Sequence, residues 1–350
     1  MKTAQVRIAI LGATGYGGME LLRYLRLHPA ATVAAVSSEA SAGQPLAAAI
    51  PHLAGTELIL QSAADVVARD DYQVAFCALP NGQAMRLAPA LLERGCTVID
   101  LSADFRLKDV GVFSQFYQLE HAAPQLLPQA VYGIPELYRE QIAAARLIAN
   151  PGCFPTSALL ALAPLLRAGL IDPQGIIVDS KTGVSGAGRT VKDTMYLLSE
   201  ANEDVMGYKI GTHRHTPEME QQLTEAGGSE AVITFVPHLI PMTRGIYTTA
   251  YAELRRDFAT ADLLEIYRQT YAGSPFVHVL DEKTLPHTKW CAGSNRAFLT
   301  ARVDPRTHRV TTLSVIDNLG KGMAGQAVQN MNIIHGFPET DGLDCTAVYP

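Results

Sequence analysis

A run of glycines between an apolar segment and a helical pattern constrains the fold of this chain most strongly. Gly12, Gly15 and Gly18 lie in GATGYGG, after the apolar stretch Val6 to Leu11 and at the start of an amphipathic segment, Gly17 to Leu27. Closely spaced glycines let a backbone turn sharply from a strand into a helix. The pattern predicts the first strand, tight turn and first helix of an open α/β sheet.

The same alternation continues through the first 150 residues. Further strands are predicted at Thr32 to Val36, Val74 to Leu79 and Thr97 to Leu101, with a helix at Ala84 to Arg94. Short apolar runs between amphipathic helices are typical of a parallel sheet covered on both faces. We therefore expect an α/β Rossmann-type domain over 1–152.

The pattern changes in the second half of the chain, where the predicted strands are longer. They are Ile176 to Asp179, Val232 to Val236, Tyr247 to Leu254, Ala297 to Val303 and Arg309 to Ile316. The last two are separated by DPRTH, which predicts a hairpin. We expect an α+β domain over 153–317 with a mixed, largely antiparallel sheet. A C-terminal helix over 318–350, with its clearest helical pattern at Lys321 to Ile334, is expected to complete the first domain.

Composition narrows the class of protein. Among 350 residues, 48% are hydrophobic and 18% charged, as in an ordinary globular enzyme. The net charge of -6 provides no general attraction to nucleic acid or to an anionic membrane. The five cysteines are never spaced as C-x-x-C, and no signal peptide or membrane-spanning stretch is evident, so a cytoplasmic location is expected.

The glycine run has the composition of a dinucleotide site. A pyrophosphate can approach such a backbone and face the N–H groups at a helix N-terminus, and Thr14 adds a hydroxyl. The second predicted strand is followed by Ser37 and Ser38 rather than by an acid, which leaves room for the extra phosphate of NADP. Glu39 comes slightly later and complicates this preference. A purely structural glycine-rich turn is the alternative.

Cys153 is the candidate nucleophile. It lies in NPGCFPT before the apolar helical segment Ser157 to Leu166, and Pro155 is suited to a helix start. A cysteine at this position faces the positive end of the helix dipole, which favours the thiolate. The alternative is a buried core cysteine, which is our interpretation of Cys77, Cys96 and Cys291.

A thiolate beside a nicotinamide cofactor indicates one chemistry in particular. The thiolate attacks an activated acyl carbon, phosphate leaves, and hydride reduces the thioester to an aldehyde. His213 and His215 are candidates for acid/base catalysis and substrate contact. A zinc pair or two ordinary surface histidines are the alternatives, and we expect no metal because no third ligand is near in sequence.

Two further segments are candidates for binding an anion. The Gly/Ser-rich run 180–189 contains Ser185 and Arg189, which could bind a phosphate or a carbonyl oxygen. The alternative is a flexible loop with no binding role. Arg106 follows the strand end in DLSADFR, where open α/β sheets bind ligands, and its alternative role is a surface salt bridge.

Taken together, these segments resemble the N-acetyl-gamma-glutamyl-phosphate reductase family, nearly end to end. The matching motifs are GATGYGG at 12–18, DLSADFRL at 100–107, YGIPEL at 132–137, NPGCFPTS at 150–157, SGAGR at 185–189, HRHTPEM at 213–219 and DNLGKGMAGQAVQNMN at 317–332. The resemblance implies NADPH-dependent reduction of N-acetyl-L-glutamyl 5-phosphate to the semialdehyde, in arginine biosynthesis. It also implies a two-domain fold related to aspartate-semialdehyde dehydrogenase, and a homo-oligomer, dimer or tetramer, formed through the second domain.

The resemblance also assigns roles to residues. Cys153 is the expected nucleophile, and His213 is preferred over His215 as the acid/base. The expected substrate-binding residues are Arg106, Ser185, Arg189 and His215. The expected NADP(H)-binding residues are Gly12, Thr14, Gly15, Tyr16, Gly17, Ser37, Ser38, Pro80, Gly186 and Asn318. Glu39 departs from the family pattern, in which a basic or neutral residue is expected.

Three other functions stay open at this point. A sister reductase of lysine biosynthesis would act on a longer or carrier-bound acyl phosphate, which would call for a basic patch. Aspartate-semialdehyde dehydrogenase would carry a glutamine where this chain has Thr182. A non-catalytic NADP-sensing regulator would have lost the cysteine or the histidines, and both are present.

Overall fold

The chain folds into two units, each built around one sheet. A computed structural model describes residues 5–190 and 192–349. Within them, the first unit comprises 5–151, 188–190 and 323–344, and the second comprises 152–187, 192–322 and 345–349.

The first unit contains a seven-stranded sheet in which every pairing is parallel. Its strands are β1 (Val6–Leu11), β2 (Ala31–Ser37), β3 (Leu60–Gln61), β4 (Val74–Cys77), β5 (Thr97–Asp100), β6 (Val131–Tyr132) and β7 (Leu147–Ala149). The strand order is β3-β2-β1-β4-β5-β7-β6, so the direction of winding reverses between β1 and β4. Ligands of open α/β sheets bind at the carboxyl ends of the strands at such a reversal. The Rossmann-type prediction is confirmed.

Helices and short turns connect these strands. The helices are α1 (Tyr16–Leu25), α2 (Leu46–Ala49), α3 (Ala63–Ala68), α4 (Ala84–Glu93), α5 (Val110–Tyr117) and α6 (Pro135–Ala143), and the 3₁₀ turns are Glu39–Ser41, Pro51–Leu53 and Pro124–Gln129. Ser62 caps α3 by accepting the N–H of Asp65, and Asp109 caps α5 in the same way. β4 and β5 are buried along their whole length. This burial explains the unbroken apolar sequence of β4, whereas β5 ends in the buried carboxyl of Asp100.

The second unit contains a mixed sheet, also of seven strands. They are β8 (Ile176–Thr182), β9 (Met206–Gly207), β10 (Ile233–Leu239), β11 (Ile246–Glu253), β12 (Val277–Val279), β13 (Ala297–Asp304) and β14 (Arg309–Ile316). In the order β12-β13-β14-β11-β8-β10-β9, only the β12–β13 and β8–β10 pairs are parallel. β13 and β14 pair from Asp304–Arg309 to Ala297–Ile316, so the predicted hairpin is present. The largely antiparallel prediction is confirmed.

The helices of this unit are dominated by α7, which packs on β11 and β14. They are α7 (Cys153–Arg167), α8 (Leu198–Ala201), α9 (Thr216–Gly227) and α10 (Thr260–Thr270), and the 3₁₀ turns are Val184–Ala187, Thr194–Tyr196 and Thr288–Trp290. Pro164 lies inside α7 and has no N–H for the carbonyl of Leu160, and the hydroxyl of Tyr271 donates to that carbonyl instead. No helix within residues 5–190 and 192–349 is long and apolar enough to cross a membrane.

The C-terminal segment is helical over a shorter range than predicted. A π-helical turn (Gly320–Ala324) leads into α11 (Gly325–Ile334), and the described residues 335–349 form turns and irregular chain, so a helix over the whole of 318–350 is wrong. The helix ends because Gly336 adopts a left-handed φ of 67°, the usual way to close a helix C-terminus. Residues 323–344 group with the first unit, whereas 318–322 and 345–349 group with the second.

Candidate active site

The glycine loop of the first unit is shaped by close backbone packing. Gly12 has a φ of 87°, and a methyl group on it would lie 2.3 Å from the carbonyl oxygen of Ala78. A methyl group on Gly18 would lie 2.4 Å from the carbonyl oxygen of Gly12. At Gly15, by contrast, the nearest atom to such a methyl would be 3.7 Å away. A side chain would therefore clash with the backbone at Gly12 and Gly18 but not at Gly15.

The first turn of α1 has the donors that a pyrophosphate requires. Gly15 is the N-cap residue, Tyr16 and Gly17 follow it, and no side-chain cap is formed among the described residues. The first N–H groups of a helix have no partner within the helix, and together with the dipole they attract an anion. The loop thus fits the phosphates of a dinucleotide.

The end of β2 contributes hydroxyl groups to this loop. The Oγ of Ser37 accepts the N–H of Gly12 at 3.1 Å, so Ser37 helps to hold the loop. The Oγ of Ser38 lies 3.0 Å from the Oγ1 of Thr14. The carboxylate of Glu39 accepts the N–H of Ala63 at 2.8 Å, which places it at the start of α3. Pro80 follows the carboxyl end of β4, the neighbour of β1.

Arg106 belongs to a buried polar cluster that follows β5. Its Nε donates to the carbonyl of Asn150 at 2.8 Å and its Nη2 to the carbonyl of Leu101 at 2.9 Å. The carboxylate of Asp104 accepts the N–H groups of Gly82 and Met85 in the loop before α4 and at its start. Burial, followed by the neighbouring Asp104 carboxyl, raises the pKa of Asp100. The predicted anion anchor is thus held by backbone carbonyls at the carboxyl edge of the sheet.

Cys153 is the first residue of α7 in the second unit, so the helix starts earlier than the predicted Ser157. The N-cap residue is Gly152, whose backbone N–H donates to the Oε1 of Glu218 at 2.8 Å. Glu218 is fully buried in the first turn of α9. The carboxylate thereby ties α9 to the backbone immediately before the thiol.

Two histidines lie beside this turn. The ring centroids of His213 and His215 are 4.9 Å apart, and both rings contact Phe154. A methyl group on Gly152 would lie 2.6 Å from the Nε2 of His215, so this ring packs directly against the backbone before Cys153. The two rings thus adjoin, and the backbone of His215 is already helical at the N-cap position of α9.

The environment of His213 differs from that of His215. The Nδ1 of His213 accepts the backbone N–H of His215 at 3.1 Å. Burial, with smaller contributions from Lys209 and Arg214, lowers the pKa of His213 to about 3. Its imidazole is therefore neutral at physiological pH, and the occupied Nδ1 leaves its proton on Nε2.

Several residues of this site were missed by sequence reasoning. Besides Glu218, Tyr208 and Phe235 pack edge-to-face against His213, with ring centroids 5.7 and 5.1 Å away. Burial and, to a smaller degree, the charge of Cys153 raise the pKa of Tyr208. Only Glu218 had an available signal, because it lies three residues after His215 and shares its helix face.

Of the remaining predicted residues in the second half, Asn318 contacts Ser185 and Gly186, whereas Arg189 belongs to a different unit. The side chain of Asn318 accepts the N–H of Gly245 at 2.7 Å and donates to the Oγ of Ser185 at 3.0 Å, and Gly186 lies next to this amide. Arg189 is exposed and falls in the short segment that groups with the first unit.

The other cysteines have environments typical of inert thiols. Cys77, Cys96 and Cys291 are buried, and desolvation raises the pKa of each. None of the five cysteines forms a disulfide. Within the described ranges, no three His, Cys, Asp or Glu residues are grouped as a metal site.

Comparison with known proteins identifies relatives over nearly the whole chain. The family described as "Semialdehyde dehydrogenase, NAD binding domain" matches residues 7–145, and "Semialdehyde dehydrogenase, dimerisation domain" matches 153–318. Proteins named N-acetyl-gamma-glutamyl-phosphate reductase are 51% identical in Symbiobacterium thermophilum and 49% identical in Geobacter sp. strain M21, covering 99% of this chain and 99% and 100% of theirs.

Solved structures share the fold at much lower identity. Aspartate semialdehyde dehydrogenase II from Vibrio cholerae has a TM-score of 0.74 at 20% identity and covers 94% of this chain and 98% of its own. The Candida albicans aspartate semialdehyde dehydrogenase, solved with NADP, has a TM-score of 0.70 at 16% identity and covers 95% of this chain and 98% of its own. Because the solved structures share only the fold, the full-length sequence identity to the reductases assigns the family. The chain belongs to the N-acetyl-gamma-glutamyl-phosphate reductase family of semialdehyde dehydrogenases.

Proposed function

We propose that this chain catalyses the NADPH-dependent reduction of N-acetyl-L-glutamyl 5-phosphate to N-acetyl-L-glutamate 5-semialdehyde and phosphate, a step of arginine biosynthesis, with Cys153 as the covalent nucleophile. The observation that carries the proposal is the setting of Cys153: it opens a long buried helix, next to a backbone N–H held by Glu218 and beside two histidines. The full-length relatives with this reductase name support the choice of substrate.

The environment of Cys153 favours attack by its sulfur. At the first position of α7 the thiolate faces the positive end of the helix dipole, which stabilises its charge. The sulfur forms a bond with the acyl carbon, the C–O bond to phosphate breaks, and a thioester on Cys153 results. NADPH, when bound, supplies the hydride for the thioester carbonyl. The C–S bond then breaks, which releases the aldehyde and restores the thiolate.

We assign proton transfer to His215 in preference to His213, which the sequence analysis favoured. The ring of His215 packs against Gly152, adjacent to the nucleophile. His213 is a poor base because burial lowers its pKa to about 3 and its Nδ1 already accepts a backbone N–H. Its Nε2–H is instead suited to donate a hydrogen bond to the oxygen that becomes negative during attack. His215 takes the thiol proton and returns it after the C–S bond breaks.

The remaining predicted residues keep their proposed roles in binding. The first turn of α1 and the open backbone at Gly15 hold the pyrophosphate of NADP(H). Ser38 and Thr14 offer hydroxyls near its ribose. Glu39 repels a 2′-phosphate less than its position in the sequence implied, because its carboxylate accepts a hydrogen bond from the N–H of Ala63 at the start of α3. Arg106 and Ser185 are proposed to meet the substrate, and Asn318 holds Ser185 in place.

The chain is further proposed to act as a homo-oligomer, in which a second copy covers the open face of the mixed sheet. Burial alternates along β8, where every second residue is fully covered and the others are half-buried. On the half-buried face, Lys181 is paired across strands with Tyr247 and Ile177 with Tyr251. Large half-buried aromatic side chains are characteristic of interfaces, and the match to a dimerisation domain spans these strands. Sedimentation of a Tyr251→Arg variant should reveal smaller particles, whereas an unchanged mass would exclude this face.

A cytoplasmic location completes the proposal. The chain contains five cysteines and no disulfide, as expected of a protein in a reducing compartment. Fractionation of cells should recover the protein with cytoplasmic markers, and recovery with the membrane pellet or the secreted fraction would contradict it.

The reverse reaction is the direct test of the catalytic proposal. Reduction of NADP⁺ would be followed at 340 nm in the presence of phosphate and one of several semialdehydes. We expect activity with N-acetylglutamate semialdehyde and none without phosphate. Activity with aspartate semialdehyde alone would assign the chain to the sister dehydrogenase, and activity with none of the aldehydes would overturn the enzymatic proposal.

A further inference from the structure

The carboxylate of Asp317 is one of the most densely bonded groups in the second unit. It is fully buried, and both oxygens accept from Arg244, at 2.9 Å from Nε and 3.0 Å from Nη2. Oδ2 also accepts the N–H of Gly293 at 2.6 Å, and Oδ1 accepts those of Leu319 and Gly320, each at 2.8 Å. Asp317 therefore fixes the start of the chain segment that follows β14.

That segment is the π-helical turn Gly320–Ala324. The N–H of Gly322 donates to the carbonyl of Asp317 at 2.9 Å, so the same residue holds the turn by its backbone as well. Single π-helical turns are rare and are found disproportionately at functional sites. The wider path of the backbone in such a turn determines where Gly322 lies.

Gly322 lies directly against the nucleophile. A methyl group on Gly322 would be 2.8 Å from the Cβ and 3.3 Å from the Cα of Cys153. Real Cβ atoms essentially never approach others within 3.0 Å, so any side chain here would displace one of the two backbones. The Cβ of Cys153 is thus enclosed by the turn that Asp317 anchors, while Gly152 on its N-terminal side is held by Glu218.

We propose that the Asp317–Arg244 ion pair positions the thiol of Cys153 through the π-helical turn and Gly322. Both charged residues are then positioning residues of the reaction, acting through the backbone without touching substrate. The inference rests on the proposed role of Cys153 as nucleophile and adds what holds it in place.

The number and geometry of the bonds argue for positioning over simple stabilisation. A buried ion pair is weak evidence of stability, because hydrophobic replacements of such pairs are often tolerated. Here the carboxylate joins three separate chain segments around one turn, by way of Gly293, Arg244 and the residues after Asp317 itself. The planar guanidinium also fixes the direction of the carboxylate, which a lysine could not do.

The test is a double-mutant cycle on kcat with the full-length protein. Gly322→Ala should lower kcat by about 100-fold, as expected for a misplacement of the nucleophile by up to 1 Å, with a KM for the acyl phosphate near that of the wild type. Asp317→Asn and Arg244→Lys should each lower kcat in the same manner. If they act through Gly322, Asp317→Asn should lower kcat far less in the Gly322→Ala background than in the wild type.

The matched control is Gly227→Ala in α9, where the new methyl would meet Leu166 at an ordinary 3.5 Å, and kcat should not change. Should Asp317→Asn fail to fold, Arg244→Lys takes its place in the cycle. Full additivity, or wild-type kcat in a folded Asp317→Asn or Gly322→Ala protein, would overturn the inference.

A measurement without substrate separates this inference from the proposed function. The rate of Cys153 alkylation by iodoacetamide, followed across pH, should change in Gly322→Ala and Asp317→Asn but not in Gly227→Ala. If Cys153→Ser retained reductase activity, the proposed function would fail, yet the alkylation profiles would still report whether the turn positions this thiol. If the profiles of all variants matched the wild type, the positioning role would be excluded.

Discussion

The glycine loop of the first unit, residues 12–18, leads into α1, and the segment Gly152 and Cys153 of the second unit, here called the cysteine turn, leads into α7. Different forces hold these two segments. The loop is shaped by backbone packing, with Gly12 against Ala78 and Gly18 against Gly12. The cysteine turn is held by side chains from distant sequence, among them Glu218 and His215. We infer that the loop tolerates changes of charge but not added volume at Gly12 or Gly18, whereas the cysteine turn is sensitive to both.

The largest expected effect is the loss of the nucleophile. Cys153→Ser should lower kcat by about 10⁴-fold or more, because the hydroxyl lacks an accessible anionic form. Binding of NADPH, measured by fluorescence titration, should be unchanged because the glycine loop is intact. Cys96→Ser, a buried thiol of the first unit, is the matched control and should keep full activity. Weakened NADPH binding by Cys153→Ser would break the contrast between the two regions.

A methyl group in the loop should mainly affect stability. Gly12→Ala combines an unfavourable φ with a contact at 2.3 Å, and we expect about 3 kcal/mol of lost unfolding free energy. Gly15→Ala adds the same group at an ordinary contact distance of 3.7 Å, so it should change unfolding by less than about 1 kcal/mol while weakening NADPH binding. Urea denaturation and cofactor titration check both variants. Equal destabilisation by the two variants would contradict the difference in packing between Gly12 and Gly15.

Removal of the Glu218 carboxylate should mainly lower the activity that depends on the cysteine turn, whereas the changes in the glycine loop mainly lower stability. Glu218→Ala leaves the N–H of Gly152 buried without its acceptor, and we expect about a 10- to 100-fold loss of kcat from displacement of the thiol. Glu220→Ala is the control, because Glu220 in the same helix accepts the backbone N–H of Ile233 at 3.1 Å. Steady-state kinetics should show a loss of kcat for Glu218→Ala only. A similar loss in both would indicate a general effect of α9.

An effect that is absent at neutral pH and grows on acidification concerns stability in the second unit. Burial lowers the pKa of His213 to about 3 from 6.5, so the unfolded chain binds a proton that the folded chain rejects between these values. The wild type should therefore lose stability relative to His213→Asn as the pH falls from 6.5 towards 3. Urea midpoints across this range measure the difference. A parallel pH dependence in the two proteins would show that His213 is protonated when folded.

The last effect is expected from Asp100 in the first unit, and its sign is opposite. Burial and Asp104 raise the pKa of Asp100 above 3.8, so the folded chain retains a proton that the unfolded chain releases. The wild type should lose stability relative to Asp100→Asn as the pH rises above 3.8. The same urea series tests this, with Ser102→Ala as a control that removes a hydrogen bond of Asp100 without removing the carboxyl.

Local patterns predicted the features that depend on neighbours in sequence. Such patterns revealed the glycine loop, the strands β1 and β14 and the helix after Cys153. Alternating burial and turn formation depend on residues only a few positions apart, so they can be read from the sequence. The carboxyl–backbone bond between Glu218 and Gly152 could not be predicted, since it joins residues 66 positions apart. The bonding of His213 was equally hidden, and it reversed the preferred assignment of the two histidines.

The order in which a chain is synthesised matters for the first unit, because its last helix comes from the far end of the sequence. α11 is buried almost throughout; Asn330 donates to the carbonyl of Gly133, and Asn332 pairs with His28 at 2.8 Å. A nascent chain that has emerged only through β7 therefore leaves exposed, on the ribosome, the surface that α11 covers in the folded protein. The first unit to be translated is consequently among the last to be completed, and chaperones would have their longest opportunity to bind it there.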